Sequence, residues 1–323
     1  MLESSAMPAR PEVAAAFREH ERYVWGLAYR MTGSAADADD VVQETFARAV
    51  EHPPARLDTP LRPWLTRVAV NVARDALRRR KHRAYVGPWL PAPVETADLE
   101  DLGGEPGTER GADARYDLRE SASYAFLVAL EALTAQQRAV LLLRDVLDYS
   151  VRETAAALSL SEPNVKTTHH RARAAMSAYD RAHDAAHRPP PATLSAVTLA
   201  ALQRFLTAVL SEDVSAAAAC LAEGARVTSD GGGEFLAALQ PVHGPDRVAR
   251  FFLGVQKKSQ AVGRFAMRDV NGLPALVAEV DSHATRWAPR YVARCEVDAD
   301  GKIRELHLII ASAKLSAIAP LAP

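Results

Sequence analysis

The stretch VRETAAALSLSEPNVKTTHHRARAAM, at residues 151–176, has the pattern of two helices joined by a tight turn. Residues 151–158 predict a short helix, and residues 159–161 are a turn of the length found in helix-turn-helix motifs. Ser161 is a good N-cap, and Pro163 is tolerated in the first turn of a helix. A second helix is therefore predicted to start at residue 162 and to run to about residue 179.

The second helix predicts a DNA-facing surface. Three apolar residues can pack inward, namely Val165, Ala172 and Met176. Four residues near its N-terminal half can point outward, where a recognition helix contacts base edges. They are Lys166, Thr167, His170 and Arg171. A generic helical hairpin would share the packing, but the cap, the turn length and the basic outer face favour DNA binding.

A second basic helix precedes this motif. Its basic residues are Arg62, Arg67, Arg74, Arg78, Arg79, Arg80, Lys81 and Arg83, and Asp75 is its one acid. Its apolar stripe is Leu65, Val68, Val72, Ala76 and Leu77. A helix with one packed side and this charge on the other suits a phosphate backbone. The alternative is a solvated helix end, where cations are favourable beside the helix dipole.

An acidic strip lies upstream of the basic helix. Asp40, Gln43, Glu44 and Arg48 fall on one face of a predicted helix, whereas Val42, Phe46, Ala49 and Val50 fall largely on another. Such a strip is unexpected if DNA is the only partner, so it indicates a second, basic protein partner. An ordinary solvated surface is the alternative.

Composition narrows the class of protein. The 323 residues suit two or three domains, and the net charge of -1 hides local patches. Two cysteines, Cys220 and Cys295, exclude a disulfide framework and a cysteine-rich zinc site. The N-terminus has no signal-peptide pattern, and no uncharged apolar stretch of about 18 residues is present. A cytoplasmic location is expected.

Four segments follow from the patterns. Residues 12–84 and 119–184 are helical, and residues 85–118 form a Pro/Gly-rich acidic linker predicted to be mobile between its ends. Residues 193–315 begin with helices at 194–210 and 214–221, and Gly244-Pro245 opens another helix. Strands are predicted at 264–270, 275–281, 290–297 and 303–310, with hairpin turns at Asn271-Gly272 and Asp300-Gly301. Helices followed by a strand meander predict an α+β domain.

Taken in order, these motifs resemble an extracytoplasmic-function (ECF) sigma factor of the sigma-70 family. LAYRMTGSAADADDVVQETFARAV (27–50) resembles regions 2.1 and 2.2, and PWLTRVAVNVARDALRRRKHR (63–83) resembles regions 2.3 and 2.4. Residues 130–176, which end in the helix-turn-helix, resemble regions 4.1 and 4.2. Thr168 and His169 depart from the family pattern, since sigma factors often carry Arg and an aliphatic residue there.

A finer resemblance concerns the C-terminal half. YVGPWLPAP (85–93) is similar to the linker motif of ECF factors that carry a C-terminal SnoaL-like domain, and DGGG (230–233) to a motif of that domain. Residues 311–315 resemble the C-terminal motif of the subgroup only in part. The resemblance implies a multidomain protein with two all-α sigma domains, 12–84 and 119–184. The third domain, 193–315, is then an α+β cone of the nuclear-transport-factor-2-like fold.

The resemblance also implies partners and roles. Asp40, Gln43 and Glu44 would bind the clamp helices of the polymerase β′ subunit, and region 4 would bind the β flap. The -10 element would be contacted by Asn71, Arg74, Arg78 and Arg79, with Asn71 facing a flipped base and the arginines holding phosphates. The -35 element would be approached by Lys166, Thr167, His170 and Arg171. No cofactor and no metal are expected, and the sequence identifies no anti-sigma partner.

The C-terminal domain leaves alternatives. A SnoaL-like enzyme or small-molecule sensor could use Asp230, Asp281, His283 or His307, and a stand-alone transcription factor would need no polymerase. The expectation here is a non-catalytic regulatory domain. Exposed Trp89 and Leu90 would be costly unless they bury against something. The segment 85–93 is therefore predicted to dock on the glycine-rich turn. The residues expected at this contact are Tyr85, Pro88, Trp89, Leu90, Asp230, Gly231, Gly232 and Gly233.

Overall fold

A computed structural model describes residues 11–52, 61–82, 85–100, 115–182, 191–259, 262–281 and 286–322. Arg83, His283 and residues 101–114 of the acidic linker lie outside these ranges. The chain divides into two compact units. The first contains residues up to 82, 115–121 and 130–176. The second contains residues 85–100, 122–129 and the chain from residue 177 onward.

The described ranges contain eleven α-helices and six strands. The helices are α1 (Pro11–Thr32), α2 (Ala35–Glu51), α3 (Leu61–His82), α4 (Thr96–Glu100), α5 (Tyr124–Leu130), α6 (Ala135–Leu141), α7 (Val151–Leu158), α8 (Glu162–Ala182), α9 (Pro191–Leu210), α10 (Val214–Ala219) and α11 (Pro245–Ser259). The strands are β1 (Leu221–Asp230), β2 (Val242–His243), β3 (Val262–Val270), β4 (Leu273–Asp281), β5 (Arg290–Val297) and β6 (Ile303–Ile309).

Capping residues fix the helix starts of the first unit. The Ser34 hydroxyl accepts a hydrogen bond from the Asp37 amide at 3.1 Å and begins α2. A capping box begins α7, since Ser150 Oγ accepts from the Glu153 amide and Glu153 Oε2 accepts from the Ser150 amide. Ser159 adopts a left-handed φ of 55° and turns the chain from α7 toward α8. The predicted helix-turn-helix is therefore present.

Region 2 and region 4 segments pack together inside the first unit. Helix α3 contacts α6 and α7, and α1 contacts α6. Residues 142–146 form one π-helical turn directly after α6. A π-helical turn widens the backbone spiral and is found often at functional positions. It holds Asp145, whose side chain is buried.

The second unit is built on one six-stranded sheet. The strand order is β2-β1-β6-β5-β4-β3, with β1 parallel to β6 and the other pairs antiparallel. The four predicted strands are found as β3 to β6, and both predicted hairpin turns join them. The helix predicted at 214–221 is shorter, since α10 ends at Ala219 and Leu221 begins β1, and strands β1 and β2 are not among the predicted strands. This is the α+β domain that the SnoaL-like resemblance implies.

The two faces of the sheet carry different covers, because strand side chains alternate between faces. Helix α9 and helix α11 cover one face, where Phe205 and Val248 pack against Cys295 and Leu306. The opposite face buries a second apolar cluster. Its members from outside the sheet are Leu90, Tyr124, Leu315, Ile318 and Leu321. The linker, α5 and the C-terminal tail thus complete the core of this unit.

Helix α9 is long and strongly apolar. Among the described residues it is the one helix long and apolar enough to cross a membrane, with a mean hydropathy of 1.5 over Ala192–Leu210. Arg204 interrupts the apolar run. Leu202 and Phe205 are buried in the domain core. Packing inside the domain therefore buries one face of this helix.

Candidate polymerase, promoter and regulatory sites

The acidic strip lies on the outer face of α2. Asp40, Gln43 and Glu44 are exposed, while Val42 and Phe46 on the same helix are buried. Buried apolar residues set which side of α2 faces the core, so the acidic residues are left in water. The strip is therefore available to a protein partner.

A groove runs beside this strip, between α2 and α3. It has a volume of about 590 Å³. Its charged lining residues are Asp37, Asp40, Glu44, Arg48, Asp75 and Arg79. Glu44 Oε1 accepts from Arg48 Nε at 2.7 Å, and both side chains are about half exposed. Exposed ion pairs of this kind contribute little to stability. Glu44 and Arg48 can therefore separate at little cost and pair with charged groups of a partner.

The predicted -10 residues lie along α3. Asn71 is held at both ends of its amide, since Nδ2 donates to Arg67 O at 2.9 Å and Oδ1 accepts from Arg74 Nη1 at 3.1 Å. Arg78 and Arg79 are exposed, and Arg78 forms an ion pair with Asp75 at 3.1 Å. This surface carries the positive charge that the sequence indicated.

Arg74 differs from the other predicted phosphate contacts because its side chain is buried. Burial and the neighbouring charge of Arg78 lower the pKa of Arg74. In this conformation its guanidinium orients the Asn71 side chain and does not face solvent. A contact between Arg74 and phosphate stays a prediction.

The predicted -35 residues lie together on the outside of α8. Lys166, Thr167, His170 and Arg171 are all exposed. Val165, Ala172 and Met176 are fully buried on the opposite side. The packing of the helix therefore turns the predicted recognition surface outward.

The two residues that depart from the family pattern face inward. Thr168 is buried and its hydroxyl donates to Asn164 Oδ1 at 3.0 Å. His169 Nε2 lies 2.8 Å from Asp145 Oδ1, and Arg173 donates to the same carboxylate. Both residues thus contribute to the packing of α8 within the first unit.

Asp230 of the DGGG turn joins three segments of the second unit. Residues 85–95, named the strap, cross it. Tyr85 Oη donates to Asp230 Oδ1 at 2.5 Å, and the Leu90 amide donates to Oδ2 at 2.7 Å. Lys314 from the C-terminal tail forms an ion pair with Oδ2. The Asp230 side chain is fully buried, so these contacts replace its hydration.

Lys314 links the strap to the tail. Its Nζ donates to the Leu90 carbonyl as well as to Asp230. The same Nζ lies 3.9 Å from the centre of the Trp89 ring, a cation–π distance. Because Lys314 is buried, these groups compensate its positive charge in place of water. The half-buried Trp89 and the buried Leu90 cover it.

The glycines of the DGGG turn make room for the strap. A Cβ on Gly232 would lie 3.4 Å from Tyr85 Oη, and one on Gly233 would lie 3.1 Å from Val86 Cβ. These two glycines have φ angles of 58° and 81°, which favour glycine. A Cβ on Gly231 would lie 2.8 Å from the Phe235 carbonyl. Pro88 lies on the strap between these contacts and is half-buried.

The second half of the strap attaches to the hairpin and to α5. Asn271 Oδ1 accepts from the Val94 amide at 3.1 Å, and the Asn271 amide donates to Val94 O at 2.9 Å. Arg268 donates to Glu95 Oε1 at 2.6 Å. Tyr124, on α5, donates to Pro91 O at 2.9 Å. Backbone and side-chain contacts therefore hold the strap along its length.

The acid and base candidates of the C-terminal domain are committed to different contacts. Asp230 is paired with Lys314, and Asp281 is exposed at the end of β4. His307 is buried beside Tyr124 and lies 3.3 Å from Glu305. Burial raises the pKa of Glu305, but hydrogen bonds from His307 and Arg226 outweigh it and lower the value to about 2. The Asp230–Lys314 contact is a structural ion pair, whereas Asp281 faces solvent and, among the described residues, His307 Nδ1 has no hydrogen-bond partner.

Within the first unit, a bridge joins the end of α3 to the start of region 4. Glu131 accepts from Arg80 at 2.8 Å and from Arg138 at 2.7 Å. The same two guanidiniums donate to carbonyls at the end of α1, Arg80 to Thr32 and Arg138 to Met31. Cations are favourable at the negative end of a helix. The bridge therefore stabilises contact between region 2 and region 4 segments.

Sequence patterns did not reveal Lys314, Asn271 or the Arg80–Glu131–Arg138 bridge. Asn271 carries only a turn signal, and Lys314 belongs to a C-terminal motif that matches only in part. A single lysine within the apolar stretch IIASAKLSAIAPL (309–321) was the available signal, because a cation among apolar residues requires a buried partner.

Comparisons with known proteins agree with this arrangement. The family models "Sigma-70 region 2" and "Sigma-70, region 4" match residues 16–83 and 123–176. The ECF RNA polymerase sigma factor SigJ of Mycobacterium tuberculosis is 32% identical over 249 residues, which cover 75% of this chain and 72% of SigJ. SigG of the same organism is 37% identical over 175 residues, or 51% of this chain and 47% of SigG.

The whole architecture is similar to a solved structure. The crystal structure of Mycobacterium tuberculosis extracytoplasmic function sigma factor SigJ superposes with a TM-score of 0.67 at 26% identity. The superposition covers 96% of this chain and 100% of SigJ. The similarity therefore extends through the strap and the C-terminal domain.

Two helical modules that match sigma-70 regions 2 and 4 define a transcription initiation factor. The chain belongs to the ECF sigma factor family, with a SnoaL-like C-terminal domain. As such it binds core RNA polymerase and promoter DNA.

Proposed function

We propose that this sigma factor uses four surfaces for polymerase and promoter and that the C-terminal domain controls their use in cis. The α2 strip of Asp40, Gln43 and Glu44 binds the clamp helices of β′, and region 4 binds the β flap. Asn71 reads a flipped base of the -10 element, and the exposed face of α8 reads the -35 element. The factor acts in the cytoplasm, where it meets core polymerase.

The -10 assignment gives a specific expectation for Asn71→Ala. An amide can read a base edge only after melting has removed the base from its stack. The variant is therefore expected to slow open-complex formation while initial binding changes little. A bidentate base contact contributes about 1–3 kcal/mol. Permanganate footprinting would measure promoter melting and filter binding would measure initial binding, so that the two losses can be compared.

A pre-melted template tests the role of Asn71 further. The Asn71→Ala defect should persist there, because the base contact is lost even when melting is no longer needed. Arg78→Ala is the matched control, since loss of a phosphate contact lowers initial binding and its salt dependence. Equal losses at both steps for Asn71→Ala would contradict base reading.

We infer that the C-terminal domain restrains the sigma regions through the strap. The observation that carries this proposal is the buried Asp230 carboxylate, which binds Tyr85, Leu90 and Lys314 together. Two residues separate the strap from α3, so a docked strap limits how far region 2 can move. Tyr124, near the start of region 4, attaches to the same strap.

The distance between the two promoter elements indicates that regions 2 and 4 must separate before the factor can bind both. The -10 and -35 elements lie ~25 base pairs apart, which is about 85 Å of duplex at 3.4 Å per base pair. Helix α3 contacts α7 of the helix-turn-helix inside the first unit. One molecule cannot read both elements in this closed arrangement, so promoter binding requires region 2 and region 4 to separate.

Trp89→Ala is therefore expected to raise transcription from a cognate promoter. Loss of the cation–π contact with Lys314 removes ~1–2 kcal/mol of docking free energy, which lowers the ratio of docked to undocked molecules by a factor of about 5–30. Multi-round in vitro transcription at limiting factor would measure the increase. The choice among promoters should not change, because no predicted DNA contact is altered.

Phe265→Ala is the matched control for Trp89→Ala. Phe265 is another aromatic of the second unit, and it is half exposed on the edge strand β3. A decrease with Trp89→Ala would show that the docked strap holds the factor in its competent shape. No change in transcription, or an equal change with Phe265→Ala, would remove the strap from regulation.

We propose that the C-terminal domain is a regulator without catalytic activity. Asp230 is engaged in an ion pair with Lys314, and His307 is paired with Glu305 beneath Tyr124. The Asp230 carboxylate is held by Tyr85, Leu90 and Lys314 and is therefore not free for proton transfer at that position. A SnoaL-type enzyme would instead show turnover that Asp230 or His307 substitutions abolish without affecting transcription.

A further inference from the structure

One buried carboxylate holds the inner edge of the recognition helix. Asp145, in the π-helical turn after α6, is only 1% exposed. Arg173 donates to it through Nε at 3.0 Å and Nη2 at 2.5 Å, and His169 Nε2 lies 2.8 Å from Oδ1. His169 and Arg173 are four residues apart, so they lie one turn apart on the same side of α8.

Arg173 alone could satisfy the carboxylate, because a guanidinium can bind two oxygens at once. The His169 contact therefore adds a second attachment point along the helix axis. Two polar contacts one turn apart resist rotation of α8 about its axis, because hydrogen bonds depend on angle. The apolar contacts of Val165 and Met176 depend less on angle and therefore resist rotation less. The favourable hydrogen bonds outweigh burial and lower the pKa of Asp145, which is consistent with a fully engaged carboxylate.

The adjacent residues on α8 are those predicted to face the -35 element. His170 and Arg171 directly follow His169 and are exposed. A small rotation of α8 would move both relative to the base edges, and bidentate base contacts require accurate placement. The setting of His169 is thus coupled to the outer face through the helix backbone.

We infer that His169 is a positioning residue that, through Asp145, sets the rotation of the recognition helix and thereby the choice of -35 sequence. This inference rests on the proposed assignment of the α8 surface to the -35 element. His169 itself makes no base contact in this scheme. His169 therefore affects how strongly the factor prefers one -35 sequence over others.

The test compares His169→Leu with His169→Gln in the full chain bound to Mycobacterium tuberculosis core polymerase. Leucine removes the polar contact at similar size, and glutamine can still donate an N–H to Asp145. Transcription is measured from a promoter library with random -35 elements and a constant -10 element. The readout is the preference for the best -35 sequence over the library mean.

His169→Leu is expected to lower this preference about tenfold, the effect of one hydrogen bond to a charged group. His169→Gln is expected to retain most of it. Thermal unfolding of both variants shows whether the helix-turn-helix stays folded. Loss of preference in both variants, or an unchanged preference in His169→Leu, would overturn the positioning role.

Wild-type protein and Arg171→Ala separate this inference from the proposed function. Wild type that shows no -35 preference at all would contradict the assignment of α8 itself. Wild type with a clear preference that Arg171→Ala reduces, together with an unaffected His169→Leu, would contradict the positioning role alone.

Discussion

Reversing Asp40 and Glu44 together to lysine is expected to weaken binding of core polymerase about a hundredfold, or ~2.7 kcal/mol. Both side chains are exposed on α2 and line the groove with Arg48 and Arg79. Like charges placed against a basic partner surface repel, and their desolvation is no longer compensated. The fold should persist, since the Glu44–Arg48 pair that is lost is solvent-exposed.

Equilibrium binding to core polymerase at two salt concentrations would measure this effect. The difference between wild type and variant should shrink at high salt, because exposed charges are screened. Glu223→Lys with Asp269→Lys is the matched control, since both residues are exposed in the second unit and the total charge change is the same. If the control variant bound core polymerase as weakly as the α2 variant, the change in net charge alone would explain the loss of binding.

Asp230→Asn is expected to destabilise the second unit by about 3–5 kcal/mol, the typical effect of removing one partner of a buried ion pair. Lys314 would stay buried with no counter-charge, and the strap would lose an acceptor for Tyr85 and Leu90. Amide hydrogen exchange in β1 and β6, together with thermal unfolding, would locate and measure the loss.

A second substitution tests the cause of this loss. Replacing Lys314 by methionine in the Asp230→Asn background should recover part of the stability, because the uncompensated charge is removed. Asp269→Asn is the control, since Asp269 is exposed on β3. If the double variant lost as much stability as the two single variants added together, the ion pair with Lys314 would not be the main way in which Asp230 stabilises the unit.

Local patterns were sufficient for most of the secondary structure. Four strands and two hairpin turns were predicted within a few residues, because alternation and Asn-Gly or Asp-Gly turns are local signals. Two strands are missed: β1, whose residues 221–230 do not alternate between apolar and polar types, and the two-residue strand β2. The exposed face of α8 was also predicted, since helical spacing separates Val165 and Met176 from Lys166 and Arg171.

Long-range partners were not predictable in the same way. Asp230 and Lys314 are 84 residues apart, and Tyr85 reaches Asp230 across 145 residues. Residue type alone did not indicate that Arg74 is buried or that His169 faces Asp145. An arginine or histidine on a helix fits either side until the neighbouring elements are placed.

Residue spacing within single segments was enough to identify the family, most helices, four of the six described strands and the charge of each helix face. Which charges are buried, and which groups compensate them, became known only once the segments were placed in three dimensions. Burial of Asp145, Asp230 and Lys314 depends on segments distant in the chain, and the free energy of a buried charge is set by its partners.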